Sequence, residues 1–166
     1  MIKFAILMGI LCLSSFVGFE MSKTYKEKLM LYEDILSFCK TLKNEISFLK
    51  TDILTIINRE QYKSHFGQIL SDFSDKTKDK DSFDKEQIGN LLNKYKILTE
   101  QDKNLLTAFL YSLGKLSYEE QIASLEYYIN IFDDLIKKQS ENNKKMVPLC
   151  NKMGILIGLV ICIVLF

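Results

Sequence analysis

The sequence has few of the residues that interrupt regular secondary structure. It contains no tryptophan, one proline (Pro148) and seven glycines in 166 residues. Only three of those glycines lie in the long stretch between residues 20 and 152. A sheet-rich domain normally needs more turn residues than this. The scarcity of glycine and proline argues against a sheet in this stretch and predicts helices.

Metal, redox and catalytic chemistry also lack the residues they need. His65 is the only histidine, and the four cysteines form no C-x-x-C pair, so spacing indicates neither a zinc site nor a disulfide framework. We expect reduced thiols that pack as small apolar side chains. The chain has no glycine-rich phosphate loop, no G-x-S-x-G and no H-E-x-x-H motif. We therefore predict no catalytic residues, no cofactor and no metal.

The charges are balanced in number but not in position. With 22 basic and 21 acidic residues the net charge is +1, and this balance gives no basic excess for binding phosphates, so we expect no nucleic-acid partner. Apart from Lys3, every charged residue lies between Glu20 and Lys152. Apolar ends around a charged middle indicate two solvents, a bilayer and water.

Both ends are uncharged apolar runs. The first, Phe4–Phe19, ends at Phe-Val-Gly-Phe-Glu, a poor match to an A-x-A-like cleavage site, which favours an uncleaved membrane helix over a signal peptide. The second, Met153–Phe166, has fourteen residues and reaches only about 21 Å across a core of about 30 Å. Leu149 and Cys150 extend it if Lys152 snorkels. A buried helix of a soluble protein remains the alternative, although no face of the run is polar.

Small residues and lysines suggest how the two runs are arranged. Gly154 and Gly158 form a G-x-x-x-G pair, which allows close helix approach in lipid. The predicted partner is the first run, with its small residues Gly9, Ser14, Ser15 and Gly18.

Lysines flank the inner ends of both runs, and the positive-inside rule therefore places the middle in the cytoplasm. The flanking residues are Lys23, Lys26, Lys28, Lys137, Lys138, Lys144, Lys145 and Lys152. We predict an N-terminal transmembrane helix over residues 1–21, a cytoplasmic helical domain over 22–147 and a C-terminal transmembrane helix over 148–166.

Apolar residues spaced three or four apart predict an all-α bundle of about six helices in the middle. The first helix is expected from about Ser22 to Leu49, with its buried stripe at Tyr32, Ile35, Cys39, Leu42, Ile46 and Leu49. The charged run Asp75–Asp81 is expected to be a solvated loop.

Capping residues predict where the other helices begin. Thr51 or Asp52 opens a short second helix, Ser82 opens a helix after the loop, and Gly114 ends the helix that follows. Two capping boxes are expected, Thr99 with Asp102 and Ser117 with Glu120. The last helix has no breaker before Pro148.

Short motifs follow one another in a fixed order along nearly the whole chain. They are a Gly-Phe-Glu step, an acid–isoleucine pair after a leucine, a Leu-Gly step with a glutamine seven residues later, and a lysine before two glycines. Their residues are Gly18, Phe19, Glu20, Leu42, Glu45, Ile46, Leu113, Gly114, Gln121, Lys152, Gly154 and Gly158. In order and spacing the chain resembles the stage III sporulation protein AB family of endospore-forming firmicutes.

The resemblance implies a non-enzymatic platform in the mother-cell membrane, within the channel complex between mother cell and forespore. It implies a helical domain similar to the cytoplasmic domain of the platform protein of type II secretion. The implied partners are the membrane, a cytoplasmic secretion-type ATPase similar to stage III sporulation protein AA, and other channel components. The residues alone lead only to a doubly anchored cytoplasmic binding domain. A membrane adaptor or sensor without a secretion role, an enzyme with unfamiliar residues, and a homo-oligomer all stay open.

Overall fold

The computed structural model describes residues 2–49, 55–57, 62, 64–78, 84–113 and 115–165, with the side chains of 2–5, 49 and 78 left out. Its long helices are α1 (Ile2–Leu49), α2 (His65–Lys78), α3 (Lys85–Leu92), α4 (Glu100–Ser112) and α5 (Tyr118–Leu165). Residues 55–57 form a further helical segment. No strand occurs in these ranges, and the all-α prediction is confirmed.

The chain divides into two compact units, and α1 and α5 contribute to both. The terminal unit comprises residues 1–29 and 137–166, and the central unit comprises 30–136. These limits differ from the predicted limits at 21/22 and 147/148. Packing defines a compact unit, whereas side-chain polarity defines a membrane segment, so the predicted membrane limits stay a prediction.

The core of the central unit is organised around the ring of Phe38. Phe38 in α1 is fully buried and meets Phe66 of α2 and Phe109 of α4 edge-on, with ring centroids 5.5 and 6.2 Å apart. Phe109 also meets Phe132 of α5 at 6.4 Å. Such pairs add about 0.5–1.5 kcal/mol each to the effect of burial. One chain of aromatic contacts therefore joins four helices.

The apolar stripe predicted for the first helix is confirmed where its side chains are described. Tyr32, Ile35, Cys39, Leu42 and Ile46 are all buried in the core. Helical spacing was sufficient to find them because one face of α1 is covered along the whole central unit.

The predicted start of this helix near Ser22 is wrong. α1 begins at Ile2 and continues to Leu49 without interruption. No glycine or proline follows Gly18 within it, so nothing in the backbone ends the apolar helix before the charged one begins. α5 likewise continues through Pro148 to Leu165, although a proline cannot donate the hydrogen bond to the carbonyl four residues earlier.

The predicted charged loop is wrong for residues 75–78, which form the last turn of α2. Asp75 and Lys76 are exposed there, and the hydroxyl of Thr77 donates to the carbonyl of Phe73 at 2.7 Å. The run contains no helix breaker, so its charges can remain solvated on the surface of a helix. Residues 79–81 lie outside the described residues.

The N-cap of α3 is Asp84, whose carboxylate accepts from the backbone N–H of Lys85 at 2.6 Å. The cap predicted at Ser82 lies outside the described residues, as do Thr51, Asp52 and Gly114.

One of the two predicted capping boxes is complete. Thr99 caps α4 through Asp102, and each side chain bonds the backbone N–H of the other residue, at 3.3 and 2.8 Å. At the start of α5, Glu120 accepts from the backbone N–H of Ser117 at 3.0 Å, but the Ser117 hydroxyl donates to the same carboxylate at 2.6 Å. These bonds lower the pKa of exposed Glu120. The second box is therefore half formed.

Asp102 has a second role, because its carboxylate also links α4 to α1. The hydroxyl of Tyr32 donates to Oδ1 of Asp102 at 2.5 Å, and both residues are buried. Burial, together with the bond to Asp102 and its charge, raises the pKa of Tyr32 above the usual value of about 10. The resulting contribution to stability is present below pH about 10 and is lost as the pH rises above that value.

Tyr32→Phe tests this link, since it removes one donor from a buried carboxylate. We expect the free energy of unfolding to fall by about 1.5–3 kcal/mol. The matched control is Tyr95→Phe, which removes a 3.1 Å bond to the partly exposed Asp72 and should cost at most about 1 kcal/mol. Urea unfolding of the full chain in detergent, followed by circular dichroism, measures both. Equal losses in the two variants would contradict the special role of the Tyr32–Asp102 bond.

Candidate functional site

Two helices are long and apolar enough to cross a membrane. They lie within Ile6–Phe48 and Tyr118–Leu165, and their most apolar 18-residue windows have mean hydropathies of 1.4 and 2.2. Only 11% and 17% of those windows are buried. The core helix of a soluble protein is mostly buried, so this exposure favours membrane association. The parts of α1 and α5 in the terminal unit therefore form the candidate site, and we call them the two legs.

The legs approach most closely where neither helix has a side chain. A Cβ atom at Gly18 would lie 2.7 Å from the carbonyl oxygen of Cys150 and 3.0 Å from Cα of Gly154. A Cβ atom at Gly158 would lie 3.1 Å from Cβ of Ser14. At Gly18 the Cβ atom would collide with backbone, so this site requires glycine, whereas at Gly158 the Ser14 side chain would have to move by a few tenths of an ångström. The predicted contact between the G-x-x-x-G pair and the first apolar run is confirmed at Gly18 and Ser14.

The other two small residues of the first run have different surroundings. A Cβ atom at Gly9 would have no neighbour within 4 Å. The hydroxyl of Ser15 donates to the carbonyl of Leu11 in its own helix at 2.8 Å. Gly9 is nine residues from Gly18 and so lies on the opposite side of α1, away from α5. The Ser15 hydroxyl bonds within its own helix and does not join the legs.

Polar contacts join the legs at the glycine contact and on the side of it toward the central part of the sequence. The hydroxyl of Ser14 donates to the carbonyl of Gly154. Closer to the central part of the sequence, the amides of Gln139 and Asn143 both donate to the carbonyl of Tyr25, at 3.3 and 3.0 Å. The Gln139 amide also donates to Oδ1 of Asn143 at 2.8 Å. These bonds fix the register of two helices that would otherwise slide, and only the bond from Ser14 lies within the predicted membrane segments.

Sequence reasoning missed the pair Gln139 and Asn143. Their spacing of four residues places both amides on one face of α5. This spacing is the sequence feature that could have indicated a polar contact there. Their acceptor is a backbone carbonyl, however, and no side-chain pattern identifies it. Only the packed structure shows that Tyr25 is the partner.

The residues of the family-like motifs do not form one site. In the terminal unit, Gly18, Gly154 and Gly158 are buried at the contact between the legs, whereas Phe19, Glu20 and Lys152 are exposed. In the central unit, Leu42 and Ile46 are in the core, Leu113 packs against it and Gln121 is buried. Glu45 is half-buried there, and Gly114 lies outside the described residues. The motifs therefore serve two separate packing tasks.

Chemically reactive groups are dispersed among the described residues. No three of the His, Cys, Asp and Glu side chains in the described ranges are placed to hold a metal ion. All four cysteines are free. Burial raises the pKa of the Cys39 thiol to about 12, so this thiol is neutral and unreactive at physiological pH. The described residues offer surfaces for packing and contact.

We predict that Gly154→Leu combined with Gly158→Leu separates the legs without unfolding the central unit. The new side chains would overlap α1, whereas Gly9→Leu enters open space and serves as the control. The readout is disulfide formation in membranes between Leu7→Cys and the native Cys162, whose sulfur lies 3.5 Å from the carbonyl of Leu7. The other three cysteines are replaced by alanine. Cross-linking should fall severalfold in the double variant and stay unchanged in the control. Unchanged cross-linking in both would leave these glycines as ordinary membrane residues.

The comparisons with known proteins identify a family. No curated protein and no solved structure has significant similarity to the chain. The family model described as stage III sporulation protein AB matches residues 3–166. That match covers both legs and the whole central unit, and it identifies a protein of the third stage of sporulation. The chain belongs to the stage III sporulation protein AB family.

Proposed function

We propose that the protein is a non-enzymatic platform of the channel complex between mother cell and forespore. In this proposal α1 and α5 anchor it in the mother-cell membrane, and the central unit lies in the cytoplasm, where it binds a secretion-type ATPase. The observation that carries the proposal is that both membrane-length helices continue without a break into the central unit. A domain that is joined to the membrane by two continuous helices suits a part that connects a cytoplasmic motor to a membrane assembly.

The distribution of charge supports this orientation. The terminal unit has nine lysines and three glutamates, whereas the central unit has thirteen basic and eighteen acidic residues. Lysines next to the legs favour the cytoplasmic side of the membrane. The acidic excess of the central unit is suited to a partner with a basic docking surface, since complementary charge speeds and orients association.

The predicted topology can be tested by cysteine labelling in intact protoplasts. Lys76→Cys places a thiol at an exposed position of the central unit, in a background in which the native cysteines are replaced by alanine. We expect an impermeant maleimide to leave it unlabelled until the membrane is opened. Lys3→Cys is the control and should be labelled in intact protoplasts, because it lies at the outer end of the first leg, before the uncharged apolar run. Ready labelling at residue 76 would overturn the topology.

The coupling role can be tested by interrupting both connecting helices. α1 and α5 both run from the terminal unit into the central unit, so both are interrupted. Seven-residue Gly-Ser segments are therefore inserted after Leu29 and after Ile136, at the limits of the compact units. Flexible segments absorb displacement. We expect the variant to reach the membrane and to copurify with the ATPase from sporulating cells, yet to support few or no spores.

The matched control has seven-residue alanine-rich helical segments at the same two positions. Seven residues are close to two turns, so the part of each helix after the insertion is rotated by only about 20° relative to the part before it. Spore formation should therefore be largely retained. Normal sporulation with the Gly-Ser segments would make the protein a passive tether. If the unmodified chain does not copurify with an ATPase, the adaptor or sensor without a secretion role becomes the better interpretation.

A further inference from the structure

An apolar groove of about 580 Å³ runs along the terminal unit beside the contact between the legs. Its α1 wall extends from Ile10 to Met21, and its α5 wall extends from Leu149 to Ile161. The hydroxyl of Ser14, which also lines the groove, is already bonded to the carbonyl of Gly154. The volume lies in the range of ordinary ligand sites, about 300–1,000 Å³, and the walls are suited to an apolar ligand.

The length of the groove matches the depth of one membrane leaflet. Eleven residue steps separate Ile10 from Met21, and twelve separate Leu149 from Ile161, which corresponds to about 17–18 Å of helix. One leaflet contributes about 15 Å to a hydrocarbon core of about 30 Å. An extended acyl chain that enters at the level of Met21 and Leu149 could therefore lie in the groove through the full depth of one leaflet.

Lysines lie near the end of the groove where the headgroup of such a lipid would be: Lys145 lies about one turn beyond Leu149, and Lys152 lies about one turn inside it, from where its long side chain can reach back toward the headgroup. Lys145 is four residues and Lys152 three residues from Leu149, so both project within about 60° of its direction on α5. Lys28 is seven residues from Met21 and projects within about 20° of its direction on α1. Lys145 and Lys152 are exposed and have no ion pair with any described residue.

We propose that the groove binds one acyl chain of an anionic phospholipid, with its headgroup phosphate between Lys145 and Lys152. This inference rests on the part of the proposed function that places the legs in the membrane, and it does not depend on the ATPase. A phospholipid fills both parts of the site, because its chain meets the apolar walls and its phosphate meets the ammonium groups. An apolar helix from a second copy or from a partner would fill the groove and leave both lysines without counter-charge. Basic pockets between membrane helices bind anionic headgroups in this way.

The expected preference for an anionic lipid over a zwitterionic one follows from the two lysines. Each lysine near an anionic headgroup strengthens binding about fivefold, so the pair contributes roughly 30-fold. The groove itself accepts either lipid, since the acyl chains are the same. Lipid discrimination is therefore assigned to Lys145 and Lys152, and chain binding to the walls.

The absence of tryptophan allows a clean fluorescence test in the full chain. Val17→Trp places a reporter on the groove, and Phe16→Trp places one at nearly the same depth on an exposed part of α1 outside it. Each variant is reconstituted into vesicles of phosphatidylcholine with a small, fixed fraction of brominated phosphatidylglycerol or brominated phosphatidylcholine. We expect the brominated anionic lipid to quench the reporter at residue 17 more strongly than the zwitterionic one, and the reporter at residue 16 to be quenched equally by both.

Charge variants then test the lysines. Lys145→Gln with Lys152→Gln should reduce the anionic preference at residue 17 roughly 30-fold. The matched control is Lys26→Gln with Lys144→Gln, which removes the same charge from exposed lysines about 140° away from Met21 and Leu149. The control should keep the preference. Native mass spectrometry gives a second readout that needs no tryptophan reporter, so it is free of any effect of the reporter on packing. It counts the phosphatidylglycerol molecules retained by the unmodified chain and by each pair of lysine variants.

Several outcomes would overturn the proposal. Equal quenching by both lipids at residue 17, or an equal effect of the two lysine pairs, would reduce the lysines to a diffuse basic surface. A reporter at residue 17 that neither lipid quenches, while the one at residue 16 is quenched, would show that protein fills the groove. If both reporters escape quenching, the legs are not in the bilayer, and the proposed topology fails together with the lipid site.

Discussion

The contact between Gly18 and Gly154 is the constraint on which the terminal unit depends. Two helices can come this close only where backbone meets backbone, and a single added Cβ atom would collide with the opposite carbonyl. In a bilayer, water does not drive apolar helices together, so close van der Waals packing and hydrogen bonds must do so. The bonds from Ser14, Gln139 and Asn143 all join the same two helices. The bond from Ser14 depends on the close approach, because a serine side chain cannot span a wider gap.

The central unit follows a different physical rule. Its stability comes from removing apolar side chains from water, and the largest fully buried side chains include Phe38, Phe66, Phe109 and Phe132. The bond between Tyr32 and Asp102 adds direction to this core, because a buried carboxylate tolerates few arrangements of its donors. One chain thus uses backbone proximity in one unit and hydrophobic burial in the other, as the two expected solvents require.

The sequence was informative wherever a feature depends on local spacing. The stripe from Tyr32 to Ile46, the capping box of Thr99 and the facing of Gly154 all depend on helical periodicity or on neighbours within four residues. It was misleading where the charge of a segment was taken as a sign of a loop, since Asp75 and Lys76 are solvated on a helix. The continuity of α1 past Ser22 was missed because a change in polarity was taken for a change in structure. Contacts between distant residues, such as Tyr32 with Asp102 or Tyr25 with Asn143, leave no trace in local spacing.

The antiparallel course of α1 and α5 also has an electrostatic consequence. Cys162 lies beside Leu7, so the helix that begins at Ile2 and the helix that ends at Leu165 have their outer termini close together. The first terminus carries about half a positive elementary charge from its peptide dipoles, and the second about half a negative one. Where lipid weakens dielectric screening, these opposite partial charges attract each other. The dipoles of the two legs therefore largely cancel, and a parallel arrangement of the same helices would lose this compensation.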